Sequence, residues 1–168
     1  MDFAYCVEQL TINGQTIEAL CACIPADHAR WKPDVDQWSI LEVMGHLVDE
    51  EREDFHPFIV ATFQGQPKIP HDPGMWILER GYNQRNLGEL VAQFADERCK
   101  SLEWLRTQAD ADWATAVPFT KWFGFRAGDV LASWVAHDLL HMRQLVELKY
   151  GYVAVALSGY DIQYAGDW

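Results

Sequence analysis

The sequence lacks long hydrophobic runs and is poor in basic residues, and each absence excludes a class of protein. No apolar run approaches the ~20 residues that a bilayer span needs, and the N-terminus has neither the basic nor the apolar region of a signal peptide. With 13 Lys and Arg against 25 Asp and Glu, the formal net charge is −12, which disfavours nucleic acid and anionic membrane surfaces as partners. We therefore expect a cytoplasmic protein that acts on a small molecule.

Cysteine is also scarce, and its spacing carries no recognisable motif. The four cysteines contain no CxxC pair: Cys6, Cys21, Cys23 and Cys99. Reduced thiols are the expected state of such residues in a cytoplasmic protein. The chain has 168 residues and is 49% hydrophobic, which predicts one domain, residues 1–168, with a substantial core.

Four amphipathic segments dominate the chain. They run from Phe3 to about Ile24, from Ser39 to Phe63, from near Asn86 through an apolar stripe that reaches Leu105, and from about Asp129 to Tyr150. Four helices of this length predict an all-α four-helix bundle. No segment has the pattern of a sheet, although Val117–Arg126, rich in aromatic residues, is expected to form a short hairpin or an extended loop.

Local signals predict where these helices begin and end. Ser39 and Glu42 have the spacing of a capping box, and Asn86 with Glu89 repeats the pattern at the start of the third helix. Gly151 is placed to end the fourth helix.

Other positions predict irregularity. Asn13-Gly14 is expected to be a weak point of the first helix, which Pro25 then stops, and Pro57 is expected to kink the second helix. The connection Gly65–Arg85 is long enough to be either a functional loop or a surface crossover. Within it, Met75–Leu78 is apolar and is expected to pack down.

His137 and His141 are the most informative pair in the sequence. Four residues turn a helix by about 400°, so the two imidazoles lie one turn apart on the same face, at a spacing suited to one metal ion. That face also carries Val130, Trp134 and Leu145, so both rings are expected to point toward the bundle interior. Two interpretations remain from spacing alone: a shared metal ion, or two core histidines that hydrogen-bond to neighbours.

The segment His137–His141 differs by one methylene from the HExxH helix of zinc peptidases, because Asp138 stands where Glu would be the general base. The shorter Asp side chain would reach a metal-bound water poorly, and no third histidine follows at the metzincin spacing. Peptidase activity is therefore not expected.

His46 is ambiguous by itself. It lies at the margin of the apolar stripe, which favours a surface histidine on an acidic helix. Its acidic neighbours are Glu42, Asp49, Glu50 and Glu53. Glu50, one turn later, is a fourth ligand, a carboxylate that orients a ligand, or a solvated charge. The remaining histidines fit no ligand spacing and are expected at the surface: His28, His56 and His71.

Two motifs resemble the signatures of the DinB/YfiT-like family. Trp38–Glu51 resembles its W-S-x-x-E-x-x-x-H-x-x-x-x-E start of the second helix. Ala136–Gln144 resembles its H-x-x-x-H signature, which is followed by a basic residue and Gln. The approach Trp31-Lys32-Pro33 is similar too, and the resemblance covers nearly the whole chain.

This resemblance implies a four-helix bundle with a variant up-and-down connectivity and a long loop between helices two and three. It also implies a divalent metal ion held by His46, His137 and His141 in a groove at the side of the bundle, which replaces the surface interpretation of His46. Three protein ligands leave positions open for substrate. Three neutral nitrogens suit zinc, nickel or iron.

The resemblance further implies an activity. Family members include transferases that use bacillithiol or mycothiol, and a mycothiol-dependent maleylpyruvate isomerase. Here the low-molecular-weight thiol would come from a cofactor, since no cysteine is placed to act. Glu50 is the candidate to orient a ligand, and Arg143 the candidate to meet an anionic substrate group, although Arg143 and Gln144 also fit a helix-surface pair. The alternatives are a metal-dependent hydrolase, a stress-response protein that stores or senses metal, and an inactive bundle.

Aromatic content suggests an oligomer. Eight Trp and eight Phe exceed what one small core can hide, and three of the tryptophans lie in predicted loops: Trp76, Trp122 and Trp168. We predict a homodimer.

Overall fold

The computed structural model describes residues 2–68, 72–118 and 124–166, and its regular structure is helical. The elements are α1 (Phe3–Cys21), α2 (Ala26–Arg30), α3 (Ile40–Asp49), a π-helical segment (Glu50–Asp54), α4 (Phe55–Phe63), α5 (Pro73–Arg80), a 3-10 turn (Tyr82–Gln84), α6 (Leu87–Arg106), α7 (Ala127–Ala156) and a second 3-10 turn (Gln163–Ala165). These described residues contain no β-strand, only an isolated antiparallel bridge between Ala116 and Arg126. The predicted all-α class is confirmed.

Four long helical units form the bundle: α1, the run α3–π–α4, α6 and α7. α1 packs against α6 and α7, and the α3–π–α4 unit packs against the same two helices. The first and second units therefore occupy opposite corners, and α6 and α7 occupy the other two. This arrangement is the four-helix bundle that the periodicity predicts.

Contacts along the helices give their directions. Asn13 reaches the carbonyl of Val135, and Lys149 donates to the carbonyl of Leu20, so α1 and α7 are parallel. The pairs Arg52–Glu97 and Phe63–Trp104 show in the same way that α3–π–α4 and α6 are parallel. Trp38 lies beside His141 and Phe55 beside Trp134, so α3–π–α4 is antiparallel to α7. The order is up, down, down, up, which confirms the variant connectivity.

Because α4 and α6 run in the same direction, the chain must return along the bundle between them. Residues 64–86 make this return, and we call them the crossover. It contains α5 and the turn at Tyr82–Gln84, whose Tyr82 ring covers the backbone of Gly45. Ile77 is buried, whereas Leu78 is exposed. The predicted long connection is therefore a crossover with helical structure of its own, and it packs down through part of Met75–Leu78.

The predicted caps are present. The Glu42 carboxylate accepts from the backbone N–H of Ser39 at 2.7 Å, and the Ser39 hydroxyl accepts from the N–H of Glu42 at 3.2 Å. The Asn86 side chain accepts from the N–H of Glu89 at 3.1 Å. Each cap supplies a partner for an otherwise unbonded N–H group of the first turn.

Two predicted helix ends are wrong. α1 ends at Cys21 rather than Ile24, because Cys23 adopts a left-handed conformation (φ 58°) before Pro25. α7 continues through Gly151 to Ala156. The reason for the glycine is packing: a Cβ at Gly151 would lie 2.9 Å from Cη2 of Trp31. Gly151 therefore permits a close approach of Trp31 instead of ending the helix.

Asn13-Gly14 is not a weak point of α1. Both residues are buried in an uninterrupted helix. The stem of Arg98 crosses Gly14 so closely that a Cβ there would lie 3.2 Å from Cγ of Arg98. The pair is a contact surface for α6 and α7.

The irregularity expected at Pro57 lies upstream. The π-helical segment ends at Asp54, whose backbone (φ −116°, ψ −91°) leaves the helical region, and Pro57 sits in the first turn of α4. Proline has no N–H and its ring excludes the carbonyl four residues earlier, so the helix must be locally rearranged before it. The wider π turn is that rearrangement.

A buried ion network ties the four units together. Arg98 of α6 is 3% exposed and donates to the Leu10 carbonyl of α1, to both oxygens of Asp138 on α7, and to Glu51 in the π-helical segment. The indole N–H of Trp134 also donates to Glu51, at 2.9 Å. Such a network costs desolvation but fixes the register of the elements that share it.

The segment before α7 starts as an extended pair. The N–H of Val117 donates to the carbonyl of Phe125 at 2.9 Å, next to the Ala116–Arg126 bridge. The two ends of the segment Val117–Arg126 therefore pair as the predicted hairpin or extended loop would. The central residues of that prediction lie outside the described residues, as do Trp122 and Trp168.

Candidate metal centre

Three imidazoles converge between α3 and α7. Nε2 of His137 lies 3.2 Å from Nε2 of His46 and 3.1 Å from Nε2 of His141. A ligand atom from each residue lies within 4.8 Å of the other two. The structure thus brings together the three histidines that the family resemblance implies as a ligand set.

The helices account for this convergence. His137 and His141 are one turn apart on α7, so their side chains stack on the face that meets α3. His46 approaches from the antiparallel α3, two turns after the Ser39–Glu42 cap. The Ser39 hydroxyl also donates to Asn83 of the crossover at 2.8 Å, which ties the start of α3 to its surroundings.

His46 is buried, with 5% of its surface exposed, so the surface interpretation is wrong. Its acidic neighbours Glu42, Asp49 and Glu50 are buried too. Partners from other segments cover them: Lys32 pairs with Glu42 at 3.1 Å, and Tyr82 of the crossover donates to Asp49 at 2.7 Å. The sequence pattern of α3 alone could not show that its acidic residues are covered, because Lys32 and Tyr82 belong to other parts of the chain.

Gln144 orients His141. Its amide oxygen lies 2.8 Å from Nδ1 of His141, and since an amide oxygen only accepts, Nδ1 carries the proton. The lone pair of the neutral ring is then at Nε2, which faces the other two histidines. The interpretation of Gln144 as part of a surface pair is therefore wrong.

Glu50 stands behind His46. Its Oε1 lies 3.6 Å from Nδ1 of His46, one helical turn away, and both side chains are buried. A carboxylate behind the far nitrogen of a histidine fixes ring orientation and raises the basicity of the coordinating nitrogen. Because Glu50 is buried, it is not a solvated charge, and its position agrees with either a further ligand or a group that orients His46.

Burial sets the charge state of the site. It lowers the pKa of His137 to about 3, with further lowering by His141 and Arg98, and it also lowers the pKa of His141. Neutral imidazoles are the form that binds metal. Burial and the neighbouring charge of Asp54 raise the pKa of Glu50 to about 8.

Aromatic rings enclose the imidazoles. Trp38 lies 5.0 Å from the His46 ring and parallel to the His141 ring at 6.4 Å. Phe55 meets the His137 ring edge-on at 5.0 Å. These rings exclude water from the sides of the cluster, which strengthens electrostatic interactions inside it.

The donor set fits a divalent cation. Bonds of ~2.0–2.1 Å place tetrahedral nitrogen ligands about 3.3 Å apart, close to the 3.1 and 3.2 Å separations here. A neutral imidazole with its proton on Nδ1, as in His141, presents only a lone pair at Nε2, and a cation between the three Nε2 atoms would give each of them a partner. Three ligands of this kind leave coordination positions open.

A surface pocket of about 740 Å³ adjoins the cluster. His141 and Gln144 form part of its wall, together with Trp31 and Trp38. The histidine cluster is therefore accessible from a space that can hold a small molecule.

The other sequence candidates lie elsewhere. Arg143 is exposed and pairs with Glu147 at 3.4 Å, which agrees with the helix-surface interpretation for this residue. His28 stacks on Tyr152 at 4.0 Å and His56 lies 4.5 Å from Trp104, so both are half-buried packing residues rather than surface ones. His71 is outside the described residues.

The cysteines are free, and none lines the described wall of the pocket. Cys6 and Cys21 are buried, and burial raises the pKa of Cys21 to about 12. Cys23 and Cys99 are exposed. This placement agrees with the expectation that any reacting thiol comes from outside the chain.

Sequence reasoning missed the buried charges next to the ligands. Asp138 is 1% exposed and held at two points by Arg98, so it cannot serve as the base of a peptidase. A signal was present: Arg98 follows Phe94 by four residues and Asp138 follows Trp134 by four, which places both charges on core-facing stripes.

Among the described residues, none of the helices combines the length and apolar character that a bilayer span requires. A comparison with curated proteins finds no match. A family model described as the DinB superfamily matches residues 9–145, which include all three clustered histidines. Since that match extends over most of the sequence, the chain belongs to the DinB superfamily.

Proposed function

We propose that the protein binds one divalent metal ion through Nε2 of His46, His137 and His141, and that it is a metal-dependent enzyme. The observation that carries this proposal is the convergence of three imidazoles, with Gln144 behind His141 and Glu50 behind His46, beside a pocket of about 740 Å³. An open three-ligand site of this kind is typical of catalytic rather than structural metal centres.

Metal content tests the binding step. Elemental analysis of the purified protein is expected to find one divalent ion per chain, and His137→Ala or His141→Ala is expected to abolish it. The matched controls are His28→Ala and His56→Ala, which remove half-buried histidines outside the cluster and are expected to retain the ion. Full occupancy in either cluster variant, with circular dichroism showing a folded helical protein, would contradict the proposal.

For the reaction, we propose transfer of a low-molecular-weight thiol, of bacillithiol or mycothiol type, to an electrophile. A bound divalent cation lowers the pKa of a thiol and so supplies thiolate at neutral pH. The residues of the chain would hold and enclose the reacting groups: the three histidines would hold the cation, Trp38 covers one side of the cluster, and Glu50 lies behind His46.

Thiol dependence tests this reaction. With chlorodinitrobenzene as electrophile, the thiol sulfur forms the new bond to carbon, chloride leaves, and the thiol proton passes to solvent. Product formation faster than the uncatalysed reaction is expected only when thiol, metal and an intact His141 are all present. Reaction at the uncatalysed rate with every thiol tried would reject the transferase proposal while leaving metal binding intact.

A metal-dependent hydrolase is the second candidate, and Glu50 favours it. A carboxyl group whose pKa lies near 8 can accept or donate a proton close to neutrality, which suits general acid–base catalysis. Hydrolysis of esters or amides without any thiol, lost on Glu50→Gln while the metal is retained, would support this candidate against the transferase.

A further inference from the structure

We propose that the pocket beside the histidine cluster binds a substrate through a positively charged amine attached to an apolar group. The inference rests on the proposed function for the role of the metal centre, and it concerns the part of the substrate that does not react. It follows from the walls of the pocket, the charges that line it, and its position relative to His141.

The walls are aromatic. Trp31 and Trp38 both line the pocket, and each is held in place. Trp31 lies against Gly151 and meets Tyr152 edge-on at 5.8 Å, while Trp38 lies over His46 and His141. Two fixed indoles offer apolar contact area and electron-rich faces, and those faces attract cations.

The charges that line the pocket are of one sign. Asp36 and Glu147 contribute carboxylates, and no Lys or Arg is among its described lining residues. Lys32, although adjacent to Trp31, is paired with Glu42 at 3.1 Å. Arg143 contacts Glu147 at 3.4 Å, but as an exposed pair in water it offsets that charge only weakly.

Geometry places this amine away from the reacting centre. Glu147 follows His141 by six residues on α7, which is about 9 Å along the helix axis. A substrate whose reactive end reaches the cluster therefore directs a group several bonds away toward Glu147. An anionic group at that end would face two carboxylates, of which only Glu147 has a cation, the exposed Arg143, beside it, whereas an amine meets both carboxylates and the indole faces.

Three matched probes test the charge preference: phenylpropylamine, phenylpropanol and phenylpropionate share a skeleton and differ in charge. Titrations followed by the indole N–H signals in NMR spectra are made on both chelator-treated and metal-loaded protein. We expect the amine to bind about tenfold more tightly than the carboxylate. Removing both charges with Asp36→Asn and Glu147→Gln is expected to reduce this difference to below about threefold.

The control removes two exposed carboxylates outside the pocket, with Glu79→Gln and Asp110→Asn, and is expected to keep the full preference. Equal binding of the three probes, no binding, or a preference unchanged by the pocket variant would overturn the inference. Tighter binding of the carboxylate would overturn it too, and would instead support Arg143 as a contact for anions.

Metal analysis on the same samples separates the two proposals. Stoichiometric metal without an amine preference would overturn this inference and leave the metal centre standing. An amine preference in protein that takes up no metal would overturn the proposed function and leave the charge selectivity of the pocket supported.

Discussion

Two polar residues lie behind imidazoles of the proposed metal centre. The amide of Gln144 keeps the proton of His141 on Nδ1, and Glu50 lies behind the corresponding nitrogen of His46. Both follow their histidine by about one helical turn, so a single helix supplies the ligand together with the group that orients it. Removal of such orienting groups typically lowers metal affinity about 10–100-fold.

Glu50 yields a prediction about pH. Its folded-state pKa of about 8 lies above the ordinary 4.5, so its stabilising contribution is present at low pH and is lost as the pH rises through about 8. In metal-free protein, Glu50→Gln is therefore expected to raise the free energy of unfolding at about pH 8, by on the order of 1–3 kcal/mol, and to change it little near pH 4.

Urea unfolding of chelator-treated protein at several pH values measures this effect. Glu103→Gln, which alters an exposed carboxylate on α6, serves as the control and is expected to show no such pH dependence. If Glu50→Gln raised the free energy of unfolding equally at low and high pH, the result would argue against a buried carboxyl group that resists ionisation.

At this scale, the sequence predicted the pair His137 and His141 because both lie on one helix, where spacing gives direction. It did not predict His46 from spacing, since Tyr82 and Lys32, which bury that face of α3, come from other segments. The family motif supplied the missing ligand. Arg98 was overlooked because its partners lie on three other units of the bundle.

Helix starts and ends were predicted correctly where the determining contacts lie within the helix itself, and wrongly where they come from other segments. The Ser39–Glu42 box lies within four residues, and it was predicted correctly. Gly151 and Asn13-Gly14 were interpreted by the same local rules and gave the wrong result, because each meets a side chain from elsewhere, Trp31 or Arg98. A glycine inside a helix marks either an end or a close approach, and only tertiary packing decides between them.

Gly45 provides the sharpest test of this point. A Cβ at this position would lie 2.1 Å from Cγ of Tyr82, which belongs to the crossover. Helix propensity alone predicts that Gly45→Ala stabilises α3 by about 0.5–1 kcal/mol. We expect the opposite sign, a loss of about 1–3 kcal/mol, because the rigid ring and its backbone must move.

Thermal or urea unfolding of Gly45→Ala measures the sign. Tyr82→Ala removes the ring that a Cβ at position 45 would meet. In this Tyr82→Ala protein, Gly45→Ala is expected to lower the free energy of unfolding much less than it does when Tyr82 is present. Stabilisation by Gly45→Ala alone would mean that the crossover does not pack on α3 as described.

For the molecule as a whole, periodicity predicted four helices but gave no information on their directions. The length of the segment between Phe63 and Asn86 was the only local hint, because parallel consecutive helices require a return the length of the bundle. The family resemblance implied a variant up-and-down connectivity without specifying the order of directions. The contacts Lys149–Leu20 and Arg52–Glu97 contribute to showing that the order is up, down, down, up.

The homodimer remains a prediction. One long helix, α7, carries several exposed apolar side chains that a partner could cover: Leu139, Leu140, Val153 and Val155. Light scattering at micromolar concentration is expected to give twice the mass of the chain. A monomeric mass under these conditions would reject the dimer, and the aromatic content would then be accounted for by the bundle alone.

The position of the ligands along the chain also has a consequence for folding kinetics. His46 and His137 are 91 residues apart, and they meet only after α3 and α7 have docked. A cation can therefore gain its full set of ligands only after this long loop closure is complete, late on the folding pathway. Such an ion would slow unfolding far more than it speeds refolding, and would thereby lengthen the lifetime of the folded protein.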